Sequence, residues 1–170
     1  MPDKIVNRVA NSKLVTIDLE DFFPVGERIL FDIKKWLFAE QILKEKDFRE
    51  FVRDYNWKNY QDKYIALTCS SDAIIPSWAY LLITVALSPY AKQIIIGNLK
   101  ELESAIFQRT ISKIPVENYN DKPIIIKGCS DKVIPESAYS QLINKLLPVA
   151  RSIMYGEACS SVPLYKKVKL

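Results

Sequence analysis

The three cysteines of this 170-residue chain are the side chains best suited to chemistry, and each is followed directly by serine. Cys69, Cys129 and Cys159 can supply three thiolates, the ligands that favour zinc or an iron–sulfur cluster. A nearby carboxylate can supply a fourth ligand, the candidates being Asp72, Asp131 and Glu157. No two cysteines have the CxxC spacing of common zinc sites. The hypothesis of a metal centre therefore depends on where the fold places the thiols.

Two other interpretations of the cysteines stay open. A helix N-terminus favours the thiolate form of a nearby cysteine, so Cys69 or Cys129 could serve as a reactive thiol in sulfur transfer, acyl transfer or redox chemistry. Alternatively, the cysteines are ordinary packing residues of a non-catalytic interaction protein, because cysteine is a common buried side chain. The chain has no histidine, which excludes a Ser-His-Asp triad, a Cys-His dyad and imidazole metal ligands. No enzyme class follows from these residues.

An internal repeat places two of the cysteines in equivalent loops. Residues 62–97 align without a gap on residues 121–156, with 14 identities in 36 positions. A repeat of this quality predicts a duplicated supersecondary unit. The alignment matches Cys69 with Gly128 and Cys129 with Ser70, so the two thiols occupy neighbouring positions of the loops. We therefore expect each sulfur to face a group that does not follow the symmetry of the repeat.

Each copy of the repeat has the pattern of a strand, a loop, a helix and a second strand. The expected elements of the first copy are a strand at 64–68, a loop at 69–75, a helix at 76–88 and a strand at 93–96. Those of the second are a strand at 124–127, a loop at 128–134, a helix at 135–147 and a strand at 152–155. This alternation predicts an α/β fold with a mainly parallel sheet built from a duplicated β-α-β unit. We expect residues 1–170 to form a single domain.

The first 60 residues are expected to add a strand pair and a helix. Residues 14–19 and 28–33 are rich in apolar and β-branched side chains and predict two strands that can pair as a hairpin. Asp47 resembles a helix N-cap, with Glu50 completing a capping box. Between the repeats, Asn98 and Glu101 have the three-residue spacing of a capping box and predict another helix, to about Thr110.

The carboxyl ends of the predicted strands are the expected place for a site, because ligands of parallel sheets bind there. Cys69 and Cys129 follow the first strands of the two repeats, and Glu157 with Cys159 follows the last strand of the second. We therefore expect all three thiols to lie along one edge of the sheet.

The loops of both repeats contain a Ser-Asp pair, at residues 71–72 and 130–131. Ser and Asp side chains often complete a loop before a helix by bonding backbone N–H groups. An alternative is an anion cradle at the two helix starts, with positive charge from Lys127, Lys132 or Arg151.

The composition limits which classes of partner and which cellular location are expected. Hydrophobic residues make up 49% of the chain and charged residues 26%, which is typical of a folded globule. The net charge of +4 is spread along the chain, so we expect no nucleic-acid partner. No signal-peptide pattern and no membrane-spanning apolar stretch occurs, which favours a cytoplasmic protein without a membrane partner. Homodimerisation stays open.

Four segments resemble a bacterial family of uncharacterised proteins, numbered 2480 among the domains of unknown function. These segments are residues 43–49, 69–76, 127–130 and 155–166. The resemblance covers essentially the whole chain. It implies no activity, substrate or catalytic residue, because none is established for the family.

Overall fold

The protein is described from a computed structural model, which covers residues 14–128, 131–157 and 159–168. The chain divides into two compact units. Pro24–Ile106 forms one, which we call the inserted unit. Met1–Phe23 and Phe107–Leu170 form the other, which we call the flanking unit.

The described residues form seven strands and four α-helices. The strands are β1 (Val15–Ile17), β2 (Arg28–Asp32), β3 (Tyr64–Thr68), β4 (Gln93–Ile96), β5 (Pro123–Ile126), β6 (Ser152–Glu157) and β7 (Ser160–Lys166). The helices are α1 (Glu45–Asp54), α2 (Ser77–Leu87), α3 (Leu99–Ser112) and α4 (Glu136–Leu146). Of the helices that the structure describes, none has both the length and the apolar character needed to cross a lipid bilayer.

The inserted unit is built on a parallel sheet with the strand order β2-β3-β4. The central strand β3 is buried on both faces. Ile65 and Leu67 join an apolar cluster with side chains of α1 and α2. Tyr64 and Ala66 join a second cluster with side chains of α3. Coverage on both faces explains why β3 is buried and mainly apolar from Tyr64 to Leu67 instead of alternating.

The flanking unit contains a second sheet, with the strand order β1-β5-β6-β7. Its first three strands are parallel, and β7 returns antiparallel to β6. Gly156 allows this return, because its φ is +117° and an added Cβ would lie 2.8 Å from the carbonyl oxygen of Ser160. The core of the unit consists of apolar side chains from the sheet, α3 and α4, among them Ile124, Ile126, Phe107, Leu142 and Leu146.

The predicted α/β class and the mainly parallel strand pairing are confirmed, although the strands lie in two sheets. The expected hairpin of the first two strands is wrong. β1 pairs with β5, and β2 pairs with β3, both in parallel. The reason is that each early strand adds to the edge of a buried central strand far along the chain, where an apolar partner is available.

The two segments predicted as repeats form the same elements at the same spacing. α2 and α4 span equivalent residues of the alignment. The amide of Asp62 donates to the carbonyl of Tyr90 at 2.9 Å, and at the equivalent positions the amide of Asp121 donates to the carbonyl of Val149 at 2.8 Å. Both aspartates have a positive φ, 59° and 50°. This agreement is what a duplication would produce, and the duplication itself stays a prediction.

Helix starts show which local patterns were reliable. The capping box before α3 is confirmed, since Asn98 Oδ1 accepts from the amide of Glu101 at 3.0 Å and Glu101 Oε2 accepts from the amide of Asn98 at 2.8 Å. Asp47 as the N-cap of α1 is wrong, because α1 begins at Glu45 and Asp47 lies in its first turn. The N-cap residue is Lys44, whose side chain makes no capping bond.

Candidate functional site

A cleft of about 810 Å³ opens at the carboxyl edge of the sheet in the inserted unit. One wall is the loop that follows β3, and the other is the segment at residues 39–43. The polar side chains that line the cleft are Lys34, Glu40, Gln41, Ser70, Ser71 and Asp72. Ligands of parallel α/β sheets bind at this edge, and the volume is that of a small-molecule site.

Asp32, the last residue of β2, connects the loop after β3 to the segment that follows β2. Its Oδ1 accepts hydrogen bonds from the amide of Lys34 at 3.0 Å and from the amide of Ser70 at 3.1 Å. The first bond caps the 3-10 helix Ile33–Trp36. Burial opposes ionisation of Asp32, but hydrogen bonds from the side chain and amide of Ser70 and from the amide of Lys34 outweigh it and lower its pKa. Asp32 is therefore a carboxylate at neutral pH and orders the loop.

Cys69 lies directly behind the cleft loop, at the carboxyl end of β3. The free thiol is partly buried, packs against the apolar cluster of the inserted unit, and has its Sγ 3.2 Å from Ser71 Oγ. Tyr80, in the first turn of α2, interacts electrostatically with Cys69. Burial raises the pKa of Tyr80, and the charges of Cys69 and Asp32 raise it further. The position at the strand end is the predicted one, and the packing is consistent with a structural cysteine.

An ion pair and an unusual turn form the other wall. Lys34 Nζ lies 3.0 Å from Glu40 Oε2, and the hydrogen bond and charge of Glu40 raise the pKa of Lys34. Ala39 and Glu40 both have positive φ, 49° and 58°. Each such non-glycine residue costs about 1–2 kcal/mol. Backbone strain of this kind clusters at binding sites, so the turn marks this wall as a candidate ligand contact.

The flanking unit has a related arrangement with a different charge balance. Asp18 caps the 3-10 helix Leu19–Phe22 by accepting from the amide of Glu20 at 2.9 Å. Its Oδ2 also pairs with Lys127 Nζ at 2.7 Å. Burial of Asp18 favours the neutral acid, but the hydrogen bonds from Lys127 and from the amide of Glu20 outweigh it and lower the pKa. Because Asp18 neutralises Lys127, an anion cradle at this loop would have less positive charge than the sequence indicated.

The predicted metal ligands are divided between the two units. Cys69 and Asp72 belong to the inserted unit, whereas Glu157, which ends β6, and the exposed Cys159 belong to the flanking unit. Cys129 lies outside the described residues. Within the part of the chain that the structure describes, no group of three or more Cys, Asp or Glu side chains is placed to hold a metal ion. Convergence of the three thiols, the zinc or iron–sulfur centre and the reactive thiol all stay predictions.

Sequence reasoning missed Asp32, Lys34 and residues 39–43 as parts of the candidate site. Asp32 had a detectable signal, since an aspartate at the end of an apolar strand is a common cap. The cleft wall at 39–43 had no detectable sequence signal, because its left-handed turn contains neither glycine nor asparagine.

Comparison with known proteins places the chain in one family. No curated protein and no solved structure matches it. One family, described as "Protein of unknown function (DUF2480)", matches residues 3–167. Since the match covers nearly the entire sequence, and agrees with the resemblance of the loop and C-terminal motifs, the chain belongs to this family of unknown function.

Proposed function

We propose that the protein binds a small polar molecule in the cleft at the carboxyl edge of the inserted unit. The observation that carries the proposal is the cleft itself, with its volume of about 810 Å³ and its walls from two separate segments of the chain. Its place at the strand ends is the place where parallel α/β sheets bind ligands.

The internal organisation of the site supports a binding role. Asp32 fixes the loop after β3 to the 3-10 helix that carries Lys34. A preformed wall of this kind reduces the entropy that a ligand must remove on binding. The left-handed turn at Ala39 and Glu40 gives the second wall a defined shape.

The proposal is tested by blocking the cleft. The melting temperature of the wild type is measured with a panel of small carboxylic acids, amines, amino acids and phosphate esters. A bound compound stabilises the folded protein by mass action. Ala73→Trp places an indole in the cleft wall, whereas Val133→Trp places one at an exposed position of the equivalent loop in the second repeat.

We expect at least one compound to raise the melting temperature of the wild type and of Val133→Trp but not of Ala73→Trp. A panel without any stabilising compound, or equal stabilisation of Ala73→Trp, would overturn the proposal. Circular dichroism of Ala73→Trp in buffer checks that the variant is folded.

A further inference from the structure

The charges around the cleft indicate which ligand chemistry it suits. Lys34 and Glu40 pair with each other, with Nζ and Oε2 3.0 Å apart, and Asp72 adds a further negative charge. A simple cation would use only the carboxylates, and a simple anion that takes Lys34 would release Glu40 and leave two carboxylates unpaired. A ligand that carries both charges can use all three groups at once.

The loop after β3 offers hydrogen-bonding groups that have no partner among the residues that the structure describes. Among the described residues, none accepts from the backbone amides of Ser71, Asp72 or Ile74, and none pairs with the Asp72 carboxylate. All three residues line the cleft. Successive backbone N–H groups are suited to a carboxylate, and a carboxylate is suited to an ammonium group.

Two exposed aliphatic side chains also line the cleft. Ile74 is 95% exposed and Ile42 is 56% exposed. Exposed aliphatic side chains beside polar groups suit a ligand with an aliphatic part.

We propose that the ligand is a zwitterion with an aliphatic side chain, namely an α-amino acid or a short peptide. The inference rests on the proposed function, because it names the ligand class of the same cleft. The ligand carboxylate pairs with Lys34 and the loop amides. The ligand ammonium group pairs with Asp72 and with Glu40, which Lys34 releases as it takes the ligand carboxylate.

Isothermal titration calorimetry of the full-length protein tests this with four probes. L-Leucine and L-leucyl-L-leucine carry both charges, 4-methylpentanoate lacks the amine, and 3-methylbutylamine lacks the carboxylate. We expect a zwitterion to bind at least about tenfold more tightly than either singly charged analogue, since each charged contact contributes to affinity.

Substitutions test which protein side chains bind the two charged groups of the ligand. Lys34→Ala should weaken zwitterion binding about fivefold or more, whereas Lys35→Ala, which removes the same charge from an exposed neighbour outside the cleft, should not. Asp72→Asn should weaken it similarly, and Asp131→Asn, at the equivalent position of the second repeat, should leave it unchanged.

Outcomes separate this inference from the proposed function. Binding of either singly charged probe as tightly as the zwitterions, or equal effects of Lys34→Ala and Lys35→Ala, overturns the zwitterion inference. If no zwitterion binds while another panel compound is blocked by Ala73→Trp, the inference fails and the proposed function stands. If no panel compound binds in the cleft, both fail.

Discussion

Asp32 and Asp18 show how single residues organise the two units. Each lies at the carboxyl end of the first strand of its unit, Asp32 as the last residue of β2 and Asp18 directly after β1, and each side chain caps the 3-10 helix that comes next. Both carboxylates also reach a distant strand end, Asp32 through the amide of Ser70 and Asp18 through Lys127. Each side chain therefore stabilises both a local helix start and a contact between distant segments.

The Asp32 carboxylate should make stability depend on pH. Its pKa in the folded protein is lower than the ordinary 3.8, so its contribution is fully present above that value and is lost as the pH falls through the folded pKa. Asp32→Asn should therefore lower the free energy of unfolding at pH 7 by about 1 kcal/mol, since the charge-assisted part of the cap is lost.

Urea unfolding of both proteins across the acid range measures this difference. The difference between wild type and Asp32→Asn should shrink once the pH is below the folded pKa. The control is Asp47→Asn, an exposed carboxylate on α1. A difference for Asp32→Asn that stays constant across the acid range would contradict the assignment.

At the residue level, the sequence alone could place Cys69 at a strand end but could not find its surroundings. The position of Cys69 followed from the apolar run of β3 and the loop after it. The contact of Asp32 with Ser70 joins residues 38 positions apart, so no local pattern contains it. The pairing of Lys34 with Glu40 likewise depends on a turn whose residues lack the usual glycine or asparagine.

The starts of α1 and α3 show which structural features local sequence spacing can predict and which it cannot. Asn98 and Glu101 fulfil both halves of a capping box before α3, so sequence spacing was sufficient. At α1 the same spacing at Asp47 and Glu50 does not mark the helix start, because the helix begins at Glu45, two residues before Asp47. Packing of Phe48 and Val52 into the core fixes the face of α1 but not where its first turn begins.

Alanine substitutions test these two helix starts. Asn98→Ala should lower the free energy of unfolding by about 1 kcal/mol because a capping bond is lost. Asp47→Ala should change it by no more than about 0.5 kcal/mol, the size of a first-turn charge effect. Chemical denaturation measures both. A larger loss for Asp47→Ala than for Asn98→Ala would show that α1 depends on Asp47 as a cap.

For the whole molecule, the class of fold was predictable and the division into two sheets was not. Apolar strands alternating with amphipathic helices predict parallel pairing, and four of the strand pairs are parallel. Which strands share a sheet depends on partners far along the chain. β1, for example, pairs with β5 and not with β2, which follows it directly.

The prediction of a single domain can be tested through equivalent core positions. Ile83 in α2 and Leu142 in α4 align in the repeat, and both are fully buried. Each substitution by alanine should cost about 2–5 kcal/mol because it removes buried methyl groups and leaves a cavity. If the chain is one domain, either variant should lower the midpoint of one common unfolding transition.

The tryptophans provide a selective probe for that test. Trp36, Trp57 and Trp78 all lie in the inserted unit, so their fluorescence reports its unfolding, whereas far-ultraviolet circular dichroism reports the whole chain. Coincident transitions by both probes are expected of one domain. Two separate transitions, with Leu142→Ala leaving the fluorescence midpoint unchanged, would contradict the prediction.

The central claim, that the cleft of the inserted unit binds a small molecule, is tested most directly by NMR. Amide chemical shifts of isotopically labelled protein are followed while a stabilising compound from the ligand panel is added. We expect saturable shifts at Lys34 and at residues 70–74, and none at residues 131–134 of the equivalent loop. Shifts that are absent from residues 70–74, or equal in both loops, would contradict the claim.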